Sequence, residues 1–104
     1  TIDLSYIKDC AKAVHLVHTA PKLNHRVYNV GTGAPTAYEE VAEAVKKVIP
    51  DARLPLQSGT GPSFKVNGYM STERLVNELG FKPDFDLESG IADYISWLRE
   101  GNER

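Results

Sequence analysis

The sequence predicts a small α/β fold with about four helices and two or three short strands. Apolar residues recur at helical spacing in four segments, and short alternating or β-branched runs lie between some of them. Proline and glycine residues stand at the boundaries, where they interrupt regular structure. With 41% hydrophobic and 25% charged residues, the chain has the composition of an ordinary globular domain, so one domain is expected.

The first segments predict a strand followed by a helix. Residues 2–7 alternate roughly in hydrophobicity, and Asp9 then stands where a helix N-cap is expected. Capping explains this carboxylate more simply than a role in positioning a substrate. Within the helix, residues 10–20, the polar side chains share one narrow face: Lys12, His15 and Thr19. Because the rest of this helix is apolar, it is predicted to pack against neighbours on several sides.

A second strand and a glycine turn follow. Residues 26–30 predict the strand, and Gly31 and Gly33 interrupt it where positive φ or a close backbone approach is required. A G-x-G turn can bind an anion through its amides, but a bare G-x-G is more often only a tight turn. We therefore interpret these glycines as structural.

The second helix is predicted to begin with a capping box at Thr36 and Glu39 and to end before Pro50. Residues 53–56 then predict a short edge strand, because their proline cannot donate a hydrogen bond to a ladder. The glycine-rich stretch 57–68 is predicted to be a loop.

Two further helices are predicted near the end of the chain. Ser71 is expected to cap a short helix that stops at Gly80, and Asp86 is expected to cap the last helix. The apolar positions of the last helix recur at helical spacing: Leu87, Ile91, Tyr94, Ile95 and Leu98. Tyr94 and Trp97 are therefore interpreted as packing residues rather than as a platform for stacking a base.

Charge, cysteine content and hydropathy exclude several classes of function. A formal net charge of −2 without any run of Lys or Arg provides no basic surface for nucleic acid. The single Cys10 cannot form an internal disulfide, and no apolar run is long enough to span a membrane, so a cytoplasmic location is expected. His15 and His18 lack a nearby carboxylate or thiol to complete a metal site, and no metal is expected.

Four segments carry motifs that follow one another in a fixed order. Residues 4–11 are similar to Y-V-x-D-V-A, residues 28–33 to Y-N-V-G-S-G, and residues 71–83 to D-x-S-K/R … E-L-G-W/F-x-P. Residues 86–91 are similar to S-L-E-E-G-I. Together they resemble the last third of the extended short-chain dehydrogenases, in the NAD(P)-dependent epimerase/dehydratase family that includes UDP-galactose 4-epimerase. The resemblance covers nearly the whole chain.

This resemblance implies a longer parent enzyme, in which an N-terminal Rossmann domain binds NAD or NADP. Residues 1–104 would be the small C-terminal substrate-binding lobe of that Rossmann-type enzyme, with the Rossmann domain absent from this chain. The implied substrate is a nucleotide sugar or a related small molecule. The implied partners are the Rossmann domain of the same parent and, where apolar surface is exposed, a second copy forming a homo-oligomer. Neither a nucleic acid nor a membrane is expected as a partner.

The catalytic and coenzyme-binding motifs of the family are missing from the sequence. The family pair is Tyr-x-x-x-Lys, in which the lysine assists proton transfer by the tyrosine. The residues four positions after the five tyrosines are Cys10, Thr32, Ala42, Glu73 and Leu98. No G-x-x-G-x-x-G turn opens a helix either. This segment is therefore expected to have no catalytic residue, no cofactor and no activity alone.

The candidates for substrate contact are Tyr6, Arg53 and Lys65. They are the polar side chains beside the end of the first strand and beside or within the loose loop. Family members often carry an R-x-G-D stretch whose guanidinium binds pyrophosphate, whereas this chain has a glycine-rich stretch at residues 57–62. A lysine is a point charge rather than a bidentate fork, so a smaller, phosphate-free substrate stays an alternative.

Two other classes of function remain open at this point. A stand-alone α/β module could bind a ligand or a partner through residues 57–68. A structural piece could use the apolar faces of the first and last helices to form an oligomer. An upstream reading frame that encodes the missing glycine turn and the Tyr-x-x-x-Lys pair would favour the enzyme segment over both.

Overall fold

The computed structural model describes residues 1–56 and 68–102, and within them it contains four helices. They are α1 (Ile7–Thr19), α2 (Tyr38–Val48), α3 (Glu73–Leu79) and α4 (Leu87–Arg99). The prediction of four helices is confirmed. None of the helices in this described part is long and apolar enough to cross a membrane.

The chain is organised as two compact units. Described residues 1–36 and 68–84 belong to the first unit, in which α1 contacts α3. Described residues 37–56 and 85–102 belong to the second unit, in which α2 contacts α4. Each unit therefore pairs two helices that are distant in the sequence.

The predicted strands do not form in the described residues. Residues 2–7, 26–30 and 53–56 contain no strand, and within 1–56 and 68–102 the only β-pairing is an antiparallel bridge between Ile2 and Thr36. Two backbone hydrogen bonds of 2.8 Å make this bridge. A strand needs a neighbouring strand along its length to pair its backbone groups, and Thr36 provides a partner for one residue only. The expectation of two or three strands is therefore not confirmed.

Helix α1 begins earlier than the sequence indicated. Tyr6 is the extended N-cap residue, so Asp9 lies in the first turn and the prediction that Asp9 is the cap is wrong. The Asp9 carboxylate instead accepts a hydrogen bond from the backbone amide of Asp84, far along the chain. At the other end, α1 stops because Ala20 is extended and precedes Pro21, and a proline disfavours helical geometry in the residue before it.

The core of the first unit is built on α1 and α3. Ala13, Leu75 and Phe81 are buried, and Leu75 has no exposed surface. Five partly buried side chains pack around them: Leu16, Val17, Tyr28, Val30 and Leu79. Full burial of a leucine side chain contributes about 1.5–3 kcal/mol to folding. The core thus joins both sequence segments of this unit.

Gly80 ends α3 in the left-handed conformation, with a φ of 65°. Its amide donates to the Val76 carbonyl at 2.9 Å, and the Phe81 amide donates to the Leu75 carbonyl at 3.3 Å. The Gly80 bond is the single bond of an αL C-cap, and Leu75 and Phe81 supply the hydrophobic contact that accompanies such a cap. The prediction that α3 stops at Gly80 is confirmed.

The N-terminus of α2 is displaced by one residue from its prediction. Ala37, rather than Thr36, is the N-cap, and the Glu40 carboxylate accepts a 2.7 Å hydrogen bond from the Ala37 amide. Because alanine has no side-chain acceptor, only this half of a capping box forms. The Ala37 carbonyl accepts the first helical hydrogen bond, from the Val41 amide, whereas the Thr36 carbonyl accepts from the Ile2 amide.

The second unit packs α2 on α4. Asp86 is the N-cap of α4, as predicted: its carboxylate accepts from the Ser89 amide at 2.8 Å, and the Ser89 hydroxyl accepts from the Asp86 amide at 3.0 Å. The buried residues of the two helices are small or aliphatic: Ala42, Ala44, Gly90 and Ile95. Small side chains at a helix contact let the two helices approach closely.

Replacing Gly80 with alanine should lower the free energy of unfolding by about 1–2 kcal/mol, because an L-residue is strained in the left-handed conformation. A Cβ at Gly80 would meet no atom within 4 Å, so the loss comes from the backbone alone. Gly68→Ala is the control for adding a Cβ in open space, since a Cβ there also meets no atom within 4 Å. Urea unfolding measures both variants, and equal stability would contradict the prediction.

Candidate functional site

The three residues predicted to contact substrate lie in different parts of the chain. Tyr6 is half-buried at the N-cap of α1, in the first unit. Arg53 is exposed in the segment after α2, in the second unit. Lys65 lies outside the described residues.

The predicted glycine turn lies beside the Asp3 carboxylate, one oxygen of which is buried. Asp3 Oδ2 accepts a 2.9 Å hydrogen bond from the Met70 amide, whereas Oδ1 is buried with no hydrogen-bond partner in residues 1–56 and 68–102. A Cβ on Gly31 would lie 3.2 Å from Asp3 Oδ1 and 3.6 Å from Thr72 Cγ2, and Gly33 has a φ of 78°. Gly31 has the close approach and Gly33 the positive φ, so the prediction that these glycines meet a positive φ or a close backbone approach is confirmed. The hydrophobic pattern did not indicate Asp3 as a candidate, although it is the one acidic residue in the alternating run 2–7.

The first turn of α1 holds the chain that follows α3. Asp9 is buried, with 5% of its surface exposed, and its Oδ1 accepts a 2.7 Å hydrogen bond from the Asp84 amide. Lys12 donates to the Lys82 carbonyl at 2.6 Å and to the Asp84 carboxylate at 2.8 Å. A buried carboxylate needs such donors to offset the loss of water. Asp9 therefore serves to position backbone.

Two side chains connect residues 26–30, which precede the glycine turn, to α3 and to Ser71 just before it. Asn29 Nδ2 donates to the Ser71 carbonyl at 3.1 Å, and Arg74 Nη1 donates to the Val27 carbonyl at 3.3 Å. The N-cap of α3 is Thr72, so the prediction that Ser71 is the cap is wrong by one residue, although the Ser71 hydroxyl accepts a 3.4 Å hydrogen bond from the Glu73 amide. Asn29 thus joins the motif segments 28–33 and 71–83, and Asp9 of segment 4–11 holds the residue that directly follows 71–83, all within the first unit.

A polar cluster joins residues 24–28, which lie between α1 and the glycine turn, to α3. His25 Nδ1 lies 3.1 and 3.0 Å from the two carboxylate oxygens of Glu78, whose side chain is 18% exposed. The His25 amide donates to the Tyr28 hydroxyl at 3.1 Å. Burial raises the pKa of Glu78, but hydrogen bonds from Asn24, His25 and Tyr28 outweigh it, so the pKa lies below its ordinary value. The folded first unit therefore favours the charged form of the Glu78 carboxylate.

An acidic groove of about 340 Å³ is formed by α2 and the start of α4. Its lining is Glu40, Glu43, Ala44, Lys47, Asp86, Leu87 and Glu88. The hydrogen bond and the charge of Glu88 raise the pKa of Lys47, and the hydrogen bonds from the Ser89 amide and hydroxyl lower the pKa of Asp86. With four carboxylates against one lysine, the groove disfavours a phosphate-bearing ligand.

In the described residues, the polar side chains named above mainly form hydrogen bonds with backbone groups, and they do not meet at one point where a substrate could react. No group of three or more His, Cys, Asp or Glu side chains that could hold a metal ion occurs in the part of the chain that the structure describes. Cys10 is half-buried on α1 and forms no disulfide.

Replacing Asp9 with alanine should lower the free energy of unfolding by about 1–3 kcal/mol, because the Asp84 amide would lose its acceptor in a partly buried position. Asp9→Asn keeps an oxygen acceptor and should lose less. Asp51→Ala, in an exposed turn, is the control. If Asp9→Ala and Asp51→Ala unfold at the same urea concentration, the Asp9 anchor does not stabilise the first unit.

The lowered pKa of Glu78 predicts that stability depends on pH. A carboxylate with a lower pKa in the folded state stabilises the fold above its ordinary value of 4.5 and loses that contribution as the pH falls through the folded-state pKa. We expect Glu78→Gln to be less stable than the natural chain near neutral pH, with the gap narrowing below pH 4.5. Urea midpoints across this range test it, with Glu100→Gln as the exposed control. A gap that does not change with pH would exclude this role.

Three curated relatives match almost the whole chain. GDP-L-fucose synthase of Escherichia coli (strain K12) is 28% identical over 99 residues, which are 95% of this chain and 30% of that protein. A putative UDP-glucose 4-epimerase of Methanocaldococcus jannaschii is 26% identical over 102 residues, 98% of this chain and 32% of that protein. A probable UDP-glucuronate 4-epimerase of Rhizobium meliloti is 28% identical over an alignment of 124 positions, covering 98% of this chain and 35% of that protein.

The chain spans about a third of the length of these curated relatives. No protein-family model matches the chain, and no solved structure matches it significantly. The matches, at 26–28% identity, are to a GDP-fucose synthase and to UDP-sugar epimerases. In agreement with the order of its motifs, the chain is similar to these enzymes along its length, consistent with a C-terminal segment of the NAD-dependent epimerase/dehydratase family.

Proposed function

We propose that this chain is the substrate-side segment of an NAD(P)-dependent enzyme that epimerises, dehydrates or reduces a nucleotide sugar. One observation carries the proposal: 95–98% of the chain matches relatives whose names specify GDP-fucose or a UDP-linked sugar. The shared chemistry of these names is a sugar joined to a nucleoside diphosphate, and we assign that substrate class. Catalytic groups and coenzyme are then supplied by residues outside 1–104.

Two places in the described residues, the glycine turn at Gly31 and the start of α2, do not fit a nicotinamide coenzyme. A dinucleotide is held where backbone amides at a glycine-rich turn and a helix N-terminus face the pyrophosphate. At Gly31, the Asp3 carboxylate takes the space beside the backbone and would repel a phosphate. At the start of α2, Glu39 and Glu40 put two carboxylates in the first turn. The coenzyme site therefore belongs to another part of the parent.

An α/β parent also accounts for a strand-like segment that lacks a partner. Residues 26–30 contain two valines and a tyrosine, which favour strands, yet they pair with no strand in residues 1–56 and 68–102. A sheet in the rest of the parent would pair their backbone groups. Residues 1–104 would then be the C-terminal lobe of an α/β enzyme.

Within this proposal, Tyr6, Arg53 and Lys65 contact the substrate. Arg53 is exposed, and a guanidinium can bind two diphosphate oxygens at once, whereas Lys65 would act as a point charge. Tyr6 would direct its hydroxyl to the sugar. Because the groove of α2 and α4 is acidic, the diphosphate is expected at these cations and not in that groove.

In the complete parent protein, Arg53→Ala should raise KM for a UDP- or GDP-linked sugar by about tenfold with little change in kcat, because it removes a charge-assisted contact to the diphosphate. Lys65→Ala and Tyr6→Phe should raise KM by smaller factors. Arg26→Ala is the matched control, an exposed arginine outside the proposed contacts. Unchanged KM in all three variants would remove these residues from the site.

Calorimetric titration of the 104-residue chain with NAD, NADP and nucleotide sugars tests whether the coenzyme site lies outside this chain, and an activity assay tests the same for the catalytic groups. We expect no tight dinucleotide binding and no turnover by this chain alone. Tight coenzyme binding, or turnover without the rest of the parent, would overturn the proposed function itself.

A further inference from the structure

Helix α1 has three faces instead of the usual two. One is buried or partly buried and packs in the first unit: Asp9, Ala13, Leu16 and Val17. A second is polar: Lys8, Lys12, His15 and Thr19. The third consists of Ile7, Ala11 and Val14, spaced four and three positions apart and therefore on one side of the helix. We call this third face the exposed stripe of α1.

The exposed stripe is apolar and faces water in the chain as it stands. Ile7 is 71% exposed and Val14 is 66% exposed, and Ala11 between them is exposed as well. A surface helix ordinarily carries charged or polar residues opposite its buried face, whereas a helix that is apolar on several sides is enclosed by neighbours. Single exposed apolar residues need no explanation, but an aligned set on one helix does.

We infer that the exposed stripe of α1 is the surface on which the remainder of the parent polypeptide packs, an inference that rests on the proposed function. The chain matches its relatives along 95–98% of its length and spans only 30–35% of theirs, so a parent of their size has about two thirds of its chain outside residues 1–104. That chain is long enough to form a domain and to cover a three-residue stripe.

The charges around the exposed stripe define the partner further. Lys8 and His15 lie on the adjacent polar face, and His18 lies one turn beyond Val14 on the side of the stripe. The covering surface should therefore be apolar at its centre and carry carboxylates at its rim. In a symmetric antiparallel pair of α1 helices, the two polar faces would meet on one side, and neither face carries a carboxylate to pair with the lysines of the other. A second copy of the chain is thus the less suitable occupant.

The test compares Ile7→Ser/Val14→Ser with the control His15→Ser in two proteins, the 104-residue chain and the complete parent. In the 104-residue chain, both variants should keep the thermal midpoint within about 2 °C, because exposed positions contribute little to stability. In the complete parent, the double variant should lower the midpoint by about 5 °C or more, and His15→Ser should not.

A second measurement does not depend on how well the double variant folds. With Ala11→Cys, alkylation of residue 11, read by peptide mass spectrometry, should be severalfold slower in the complete parent than in the 104-residue chain, because thiol reaction requires access. Equal alkylation rates, together with equal midpoints for the double variant and the control in the parent, would overturn the inference. Loss of a homodimer in the double variant at an unchanged midpoint would also overturn it, in favour of a second copy.

The outcomes separate this inference from the proposed function. If the complete parent converts a nucleotide sugar but its exposed stripe of α1 is not covered, the inference alone is contradicted. A covered stripe in a parent that neither binds nor converts nucleotide sugars would sink the proposed function alone. A reading frame that encodes no chain beyond these residues would sink both.

Discussion

The hydrogen bond from the Asp84 amide to the Asp9 carboxylate is the contact on which the first unit depends. It ties the first turn of α1 to the segment after α3, across 75 positions of sequence, in a place where only 5% of the Asp9 surface meets water. Lys12 reinforces it by donating to the same segment. Because α1 and that segment are held together, Leu75 and Phe81 can close the core against Ala13. An unmatched carboxylate at this depth would instead oppose folding.

The residues that carry the family resemblance have mainly structural tasks in this unit. Asp9 of the first motif positions backbone after α3, Asn29 of the second holds the start of α3, and Gly80 of the third reverses the chain after α3. None of these tasks requires a substrate. Such motifs therefore report a shared fold more directly than a shared reaction, and the assignment of a nucleotide-sugar substrate rests on the named relatives and stays a proposal.

The surfaces that face water suggest how such a segment would serve a larger enzyme. The groove formed by α2 and α4 is acidic, and it is an unsuitable place for a diphosphate. The exposed stripe of α1 is apolar and lies on a helix whose opposite side already fills a core. A chain with its core so small, and with apolar surface left over, is stabilised when a neighbouring domain covers that surface.

Local chemistry explains which features the sequence determined by itself: the four helices, the Asp86 cap of α4, the Gly80 stop of α3 and the glycine requirement of the turn at Gly31 and Gly33. Each depends on residues within a few positions of one another, or on what a glycine backbone alone can adopt. Tertiary structure decided the rest, including the start of α1 at Ile7, the start of α2 after Ala37, the burial of Asp3 Oδ1 and the absence of strands from the described residues. These outcomes depend on partners that are far away in the sequence, such as Asp84 for Asp9 and Ile2 for Thr36. A linear pattern carries no information about which distant groups will pair.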